Sequence, residues 1–494
     1  MSGAIGSILS NSGALAALNG ISAAQQANNN YEQQLSSGLK INSPADNPAG
    51  FITAQGFTSQ INGVNQASNN ANEGISLLQT AQGAVQQQLN VAQKLNSIAV
   101  QAANGTQTPE EAQSLQGVVS QLTGQISTIA TQTQFNNINL LNGTFTGVQF
   151  QVGANAGQTL SLSISSTEAN SIGMNTLDAA SGPTALYTAN GSAAVTSTGS
   201  AFTAGALAIN GSNGTASVNV TTNESAASIA ASVNALTNQT NVQAQASTQL
   251  VVQATGGAGG SFNFTLGNDS SGTAKNDVTI SATGTSSLIS AINNNTAKTG
   301  ITATQNGSGN IVLTQSQGEN ISITGVSQGT FTTKNTPTSA SFGGTTTGGV
   351  FTPAAGGAAL IAQGKVSFQS DEGFSVANAG NIGLASQSNL ESLSSINVST
   401  TAGANKAINV VKYAIQGLNN LGGQLGATQQ RMQATLNNLT TTASNLQNGL
   451  ASVQDANIPQ VSQQLTQSQI QAQAGVAALK SSSQLQQAYL SLLP

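Results

Sequence analysis

Cysteine, histidine and tryptophan are all absent from this chain of 494 residues. Without cysteine there is no disulfide or thiolate site, and without histidine there is no Ser-His-Asp or Cys-His catalytic centre. Charged residues make up only 5% of the chain, against about 25% in an average protein. The 10 basic residues are scattered, so neither nucleic acid nor an anionic membrane is an expected partner. No apolar run reaches the roughly eighteen residues that a membrane span needs, so we expect no membrane insertion.

The 15 acidic residues include only two adjacent pairs, Glu110-Glu111 and Asp371-Glu372. The first pair follows Pro109 at a predicted helix start, where carboxylates stabilise the positive end of a helix. No calcium loop of the DxDxDG type is present, and the glycine run at 256–260 lacks the Lys-Ser/Thr of a phosphate loop. The sequence therefore predicts no catalytic residue, no metal site and no cofactor, and we expect no enzymatic activity.

What the chain does contain is mostly Asn, Gln, Ser, Thr, Gly and Ala. Low hydrophobicity disfavours a stable monomeric core, and low net charge favours association. This composition suits segments that become ordered when they pack against copies of themselves. With so few carboxylates, protonation at low pH removes few ion pairs, so acid should perturb such an assembly little.

A heptad pattern over residues 408–453 is the strongest structural signal. An apolar residue recurs at every seventh position there, and a second, mostly apolar set lies three residues earlier, which is typical of a coiled-coil seam or of a helix inside a bundle. Residues 71–99 carry a matching stripe, so the two helices are predicted partners. The predicted intrachain core consists of Ile75, Leu78, Val85, Leu89, Val411, Leu418, Leu425, Met432, Leu439, Leu446 and Val453.

The two ends of the chain have the pattern of weak helices. Each is rich in polar residues and carries sparse apolar positions, and the glycines near the start each cost about 1 kcal/mol in a helix relative to alanine. Gly38, Pro44 and Pro48 separate the first end from the helix that follows, and Pro459 marks a break before the last helix. The apolar positions are Ile5, Ile8, Leu15, Leu18, Ile21, Leu35, Val461, Leu465, Val476, Leu479, Leu490 and Leu493.

Between the helical ends, alternating apolar residues predict strands. A β-hairpin is expected at 148–164. Residues 185–370 contain a repeat at an offset of 59 to 61 that matches 218–220 with 278–280, 229–234 with 288–293, Val242 with Ile301, 250–252 with 311–313 and 262–264 with 321–323. Each copy is predicted to contain a strand, a short helix and three strands, as two small modules or one pseudo-symmetric domain. From about Val376 a return to helix is expected.

The predicted fold class is mixed. Both termini form a long α-helical coiled-coil or bundle core, and a β-rich α+β variable region is inserted between them.

Collinear motifs at both ends carry a resemblance to a known family. They are LSSGLKINS at 35–43, NEGISLLQTA at 72–81, TQFN at 133–136, LLNG at 140–143, FQVGANAG at 150–157, LGATQQR at 425–431, QDAN at 454–457, QAG at 473–475 and LSLL at 490–493. With these motifs the chain resembles bacterial flagellin over about residues 1–178 and 375–494.

The resemblance implies an architecture and a function. It implies a D0-like helix at 1–44, D1-like helices and a hairpin at 45–184, a variable outer insert at 185–370, a D1-like helix at 371–454 and a D0-like helix at 455–494. The protein would be a structural subunit that polymerises with itself into the extracellular flagellar filament for swimming motility. The apolar positions of the two terminal helices would then be intersubunit contacts.

The resemblance also implies partners, namely the flagellar export apparatus, an export chaperone on the C-terminal helix, and filament cap and junction proteins. Members recognised by an animal innate receptor carry charged residues where this chain has Asn96, Ser97, Val118 and Leu122, so weak recognition is expected. Two alternatives remain open at this point. One is a hook–filament junction protein, and the other is a filament whose insert serves adhesion.

Overall fold

The computed structural model describes residues 12–178, 186–190, 193–197, 202–221, 224–269, 274–333, 350–351 and 359–490. These residues form two compact units. The first contains the described residues up to Gln79, then Thr146–Ser163 and the described residues from Leu425 onward. The second contains Thr80–Phe145 and the described residues of Ile164–Gln424.

The helices lie mainly toward the two ends of the chain. They are α1 Ser12–Ser37, α2 Pro48–Ala102, α3 Pro109–Gln132, α4 Ala226–Asn234, α5 Thr237–Thr240, α6 Thr285–Asn294, α7 Thr296–Thr299, α8 Thr401–Gln454 and α9 Ile458–Leu490.

The strands occupy the middle of the chain. They are β1 Gln134–Phe135, β2 Ile138–Asn139, β3 Val148–Gln151, β4 Thr159–Leu162, β5 Gly173–Leu177, β6 Leu186–Asn190, β7 Ala193–Ser197, β8 Gly205–Gly211, β9 Gly214–Val220, β10 Gln243–Thr255, β11 Ser261–Asp269, β12 Ala274–Thr283, β13 Ile301–Gln305, β14 Ile311–Gln315, β15 Asn320–Gln328, β16 Thr330–Thr333, β17 Val350–Phe351, β18 Ala359–Ala362, β19 Lys365–Ser370, β20 Ser375–Ala377 and β21 Asn389–Ser392. The predicted fold class, helical termini around a β-rich insert, is confirmed.

Local sequence signals account for the ends of the long helices. Helix α1 ends before Gly38, whose φ of 75° favours glycine. Helix α2 begins at Pro48, and the Asn47 side chain caps it by accepting a hydrogen bond from the Gly50 N–H at 2.9 Å. Helix α3 starts with a capping box, in which the side chains of Thr108 and Glu111 each accept from the other's backbone N–H.

In the first unit, α1 and α9 pair along their length and a short bridge joins their bases. The Lys40 N–H donates to the Gln454 carbonyl at 2.6 Å, and the Ala456 N–H donates to the Gly38 carbonyl at 2.9 Å. The β3–β4 hairpin packs on the α2 part of this unit, where the Asn70 side chain donates to the Gln151 carbonyl at 3.0 Å. The end of α1 and the junction of α8 with α9 are therefore tied together through backbone bonds.

In the second unit the strands form three main sheets. The largest runs β13-β14-β10-β19-β5-β21, with β16 and β17 attached to β10; another runs β12-β11-β15-β18-β6-β7, and a small one runs β20-β8-β9. Strands β5 and β21 lie outside the predicted insert at 185–370, yet both pair within the largest sheet. The insert and its flanking segments thus share one sheet in this unit.

The repeat predicted from the sequence appears as two similar modules. We call β8, β9, α4, the first half of β10, β19 and β20 the split module, and β11, β12, α6, β13, β14 and β15 the nested module. In the split module the Asn234 side chain exchanges hydrogen bonds of 2.9 and 2.7 Å with the Ala244 backbone. In the nested module Asn293 does the same with Ala303, at the same two distances. Each module has its own buried apolar core.

Strand pairing shows how the modules are related. Ala303 of β13 lies opposite Leu313 of β14, and the equivalent Ala244 lies opposite Phe368 of β19. Strand β20 pairs with β8 as β15 pairs with β11. Strand β19 therefore takes the place of β14, and β20 takes the place of β15. Since residues 248–364 separate the two halves of the split module, the nested module lies within its chain.

Part of the predicted repeat matching is wrong for this reason. Residues 250–252 and 311–313 are not equivalent but are partners in one antiparallel ladder, and 262–264 and 321–323 lie on neighbouring strands of one sheet. The first copy also lacks three separate strands after its helix, because β10 is one continuous strand of 13 residues. An alternating apolar pattern looks the same in a strand and in its partner, so sequence alone could not separate the two relations.

The predicted return to helix at about Val376 is also wrong. Val376 lies in β20, opposite Ile209 of β8, and α8 starts only at Thr401. Asn378 and Gly383 adopt left-handed backbone conformations between these points, which a continuous helix does not allow. The apolar residues that suggested a helix fill the core of the split module instead.

Candidate assembly interface

The first unit brings together parts of the predicted seam on α2 and α8. Val64, Ala67 and Leu439 form a buried cluster, against which Leu446 packs. Gly74 lies so close to Met432 that an added Cβ would come within 2.5 Å of the Met432 sulfur. Ile75, Leu78, Leu425 and Met432 are buried, and Leu446 and Val453 are half-buried. On α8 these contacts use the predicted positions Met432, Leu439 and Leu446, whereas the α2 residues that meet them lie outside the predicted core.

In the second unit the remaining seam residues, Val85, Leu89, Val411 and Leu418, are buried. Burial here is broader than a two-position stripe, because α3 and the sheet also cover these helices. Gln88, which the sequence did not predict as a core residue, is fully buried. Its Nε2 donates to the carbonyls of Ile126 at 3.0 Å and Thr167 at 3.3 Å, so it ties α2 to α3 and to the segment after β4. No periodicity marks a buried glutamine, and only its position between two apolar neighbours of the stripe could have suggested it.

The α1–α9 pair is antiparallel and has a thin interface. An added Cβ on Gly475 would lie 2.8 Å from the Ile21 side chain, and the Ser468 hydroxyl hydrogen-bonds Asn28 farther along. Among the described side chains of the pair, Ala24, Val461 and Ser468 are buried. Small and polar residues therefore form most of this contact, and it buries little apolar surface.

The predicted intersubunit positions divide into two groups. Val461 is buried within the chain and Ile21 packs on Gly475, so these two have intrachain partners, and their predicted role between subunits stays a prediction. Leu465 and Leu479 are half-buried, and Leu35 is exposed. Leu15, Leu18 and Val476 are more than half exposed. Ile5, Ile8 and Leu493 lie outside the described residues, as does the side chain of Leu490.

The structure adds Ile470 and Leu485 to the exposed group. Nine residues, about two and a half helical turns, separate Ile470 from the buried Val461, so the two lie on opposite faces of α9. The same spacing separates Leu15 from the buried Ala24 on α1. Each terminal helix therefore has an exposed apolar residue on the face opposite its buried one, Leu15 on α1 and Ile470 on α9. Val476 and Leu485 are also nine residues apart and so lie on opposite sides of α9. Helical spacing measured from a known buried position could have found the exposed residue opposite it.

Few charges accompany these surfaces. Within the described ranges the only ion pair joins Lys406 Nζ to Glu391 Oε1 at 2.5 Å, in the second unit. In the connector between α1 and α2, backbone N–H groups of Ser43 and then Asn42 donate to Asp46 and hold the pKa of this carboxyl below its usual value. The described residues include no group of three acidic side chains placed to hold a metal ion and no helix apolar enough to cross a bilayer.

Comparison with known proteins identifies the family. Residues 8–146 match the bacterial flagellin N-terminal helical region, and residues 408–493 match the bacterial flagellin C-terminal helical region. The chain is 32% identical to B-type flagellin of Pseudomonas aeruginosa over 93% of its length and 94% of that protein. The chain belongs to the bacterial flagellins. It is accordingly a structural protein and a subunit of the flagellar filament.

This flagellin is also 28% identical to flagellin of Salmonella typhimurium, over 98% of its own length and 99% of that protein. Among solved structures, FliC from Burkholderia pseudomallei is similar at 20% identity and a TM-score of 0.30, covering 72% of this chain and 99% of that one. Flagellar hook associated protein-3 from Legionella pneumophila is similar at 11% identity and a TM-score of 0.33, covering 81% and 99%. Both TM-scores are low, so the sequence matches decide for a filament subunit over a junction protein.

Proposed function

We propose that the exposed apolar side chains of α1 and α9 are the contacts through which copies of this flagellin join in the filament. The observation that carries this proposal is the group of five large apolar side chains that are more than half exposed on the two helices. They are Leu15, Leu18, Ile470, Val476 and Leu485. Exposed apolar clusters of this kind are typical of protein–protein interfaces.

Burial of these five side chains would contribute enough free energy to support assembly. Burying one Leu, Ile or Val side chain contributes about 1.5–3 kcal/mol, and slightly more than half of each remains available here. Covering all five would contribute on the order of 4–8 kcal/mol per subunit before the costs of association and ordering. Since the α1–α9 contact within one chain is thin, neighbouring copies would also order the helix pair itself.

The decisive experiment is seeded polymerisation followed by electron microscopy and sedimentation. We expect the parent chain to elongate short filament seeds, and a chain that lacks residues 461–494 to remain a soluble monomer. Leu18→Gln should raise the monomer concentration left in equilibrium with filaments, whereas Gln121→Ala, at an exposed polar position of α3, should leave it unchanged. Filaments formed by the truncated chain, or equal effects of the two substitutions, would refute the proposal.

The wider role follows the family and rests on the same helices. The chain would leave the cell unfolded through the flagellar export apparatus, with a chaperone on α9, and would be added beneath a cap beyond the junction proteins. Helices that bury few residues within one chain need little free energy to unfold, which suits this route. The filament would be extracellular, without enzymatic activity, and would drive swimming.

Recognition by an animal innate receptor is proposed to be weak. Asn96 is half-buried, Ser97 is exposed, and Val118 is an exposed apolar residue on α3. Strongly recognised members carry charged side chains at these positions, and this chain does not. A receptor with complementary charges would therefore gain little binding free energy from them. A receptor reporter assay should show a reduced response, and a response at full potency would overturn this expectation.

Adhesion by the insert is a second candidate role. The solvent-facing side of the β12-β11-β15 sheet carries mostly hydroxyl and amide groups, together with the Asp277 carboxylate beside Gly267. The uncharged groups include Thr279, Ser281, Asn263, Thr265 and Thr324. Such a surface can hydrogen-bond to polar, uncharged surfaces such as polysaccharides. Binding of assembled filaments to polysaccharide-coated beads, lost when Thr265 and Thr279 become Lys, would support this role; binding that is absent or unchanged would exclude it.

A further inference from the structure

The two modules of the insert provide an internal comparison at one corner. In the split module Asn241 follows α5 with a left-handed φ of 60°, and its N–H donates to the Thr237 carbonyl at 2.7 Å. In the nested module Gly300 occupies the equivalent place with a φ of 67° and makes the same bond to Thr296. Glycine satisfies the backbone at this corner at no steric cost. An asparagine there points to a role for its side chain.

The Asn241 side chain joins two other segments, because its Nδ2 donates to Ser212 Oγ at 3.0 Å as well as to Asp371. Its Nδ2 donates to Asp371 Oδ1 at 2.8 Å, and its backbone carbonyl accepts from the Ser370 hydroxyl at 2.8 Å. The other carboxylate oxygen, Asp371 Oδ2, accepts from Asn420 Nδ2 of α8 at 2.7 Å. One carboxylate therefore bridges the corner of the split module and helix α8, and hydrogen bonds to a charged acceptor are among the stronger ones.

Neighbouring residues extend this contact along α8. The Tyr413 hydroxyl donates to Gln243 Oε1 of β10 at 3.1 Å, and Gln416 Nε2 lies 3.5 Å from Asn241 Oδ1. Tyr413 is buried, and burial together with the nearby Asp371 carboxylate raises its pKa to about 12. The helix thus meets the module over two turns with polar side chains held in fixed partnerships.

The nested module lacks this set of groups. Counting along equivalent strands β14 and β19, Ser316 stands where the split module has Asp371, and Gly300 stands where it has Asn241. The copies have kept the same backbone turn but differ at the two positions that reach α8. The difference coincides with the contact that only one copy makes.

We propose that Asp371, together with Asn241 and Asn420, is a latch that fixes the split module on helix α8. The latch sets the direction in which the inserted region leaves the helix in this unit. Asp371 is the central positioning residue, since its two oxygens contact one partner on each side. Loss of the latch should free the module to rock on α8 without unfolding it, because its apolar core does not include these side chains.

The absence of cysteine allows a direct test in the full-length chain. Cysteines introduced at the exposed positions Asn213 and Asn419 carry spin labels on the module and on α8, and electron–electron resonance gives their distance distribution. We expect one narrow distribution in the parent and at least a twofold broader one in Asp371→Ala. Asn420→Ala removes the hydrogen-bond donor on α8 and changes no residue of the module. It should also broaden the distribution. A distribution that stays narrow in both variants overturns the proposal.

Two controls distinguish loss of the latch from a change in net charge and from unfolding of the module. Glu372→Gln removes a carboxylate from the adjacent, exposed position and should leave the distribution narrow; broadening there would mean that net charge is responsible, against the proposal. A second label pair at Asn213 and Gln245 reports on the module itself. It should remain narrow in Asp371→Ala, and broadening would show that Asp371 holds the module together rather than docking it.

Discussion

Two substitutions on α9 should separate folding of the chain from assembly of the filament. Val461 is 5% exposed and packs within the chain, whereas Ile470 is 61% exposed on the opposite face. Val461→Ala removes two buried methyl groups and should destabilise the α1–α9 pair by about 1.5–2.5 kcal/mol. Ile470→Ala removes groups that face solvent and should change monomer stability by less than about 0.5 kcal/mol.

Ile470→Ala should shift the equilibrium between monomer and filament toward the monomer. The substitution removes three carbons, worth about 0.8 kcal/mol each on full burial. Since 61% of the side chain is available in the monomer, its loss should weaken each subunit's binding by about 1.5 kcal/mol. The monomer concentration in equilibrium with filaments should therefore rise about tenfold.

The assay pairs urea unfolding of the monomer, followed by circular dichroism, with sedimentation of seeded filaments. Val461→Ala should shift the unfolding of the terminal helices, and Ile470→Ala should shift the sedimentation equilibrium alone. If Ile470→Ala destabilises the monomer as much as Val461→Ala does, the assignment of the two faces is wrong. An unchanged monomer concentration with Ile470→Ala would equally refute the interface.

Sequence periodicity predicted the long helices and their breaks because the signals are local. Gly38, Pro48 and the helix start at Pro109 with Glu110-Glu111 each act within one helical turn, and the apolar spacing on α8 extends over most of its 54 residues. The assignment of apolar positions to partners was less predictable. Val461 and Ile470 are both apolar residues on one weak helix, and only the location of α1 distinguishes the buried one from the exposed one.

The nested arrangement of the insert could not be predicted from the sequence, for a different reason. A sequence repeat suggests that one copy ends before the next begins. The core residues of these copies do match in that order as far as Ala244 in one and Ala303 in the other. The strands that complete the split module come only after the nested module ends. Pairing of Phe368 with Ala244 depends on contacts between residues far apart in the chain, and no local propensity encodes them.

Further expectations concern the helix cap, salt and acid. Thr108→Ala removes the cap of α3 and should cost about 1 kcal/mol, measured as a lower thermal midpoint. Because the proposed contacts are apolar and carry few charges, the critical concentration for seeded assembly should change less than about twofold between roughly 0.05 and 0.5 M NaCl. The connector turn, in contrast, should respond to acid. Asp46 accepts from the Ser43 and Asn42 N–H groups, which lowers its pKa in the folded chain. Its stabilising contribution is therefore complete above the unfolded pKa and is lost as the pH falls through the folded value. Hydrogen exchange of the connector should quicken at low pH in the parent, after correction for intrinsic rates. In Asp46→Asn the exchange rate should lack this pH dependence, because an amide keeps the same shape but does not titrate. A parent connector whose corrected exchange rate is constant below the unfolded pKa of an aspartate would contradict the role of this carboxylate.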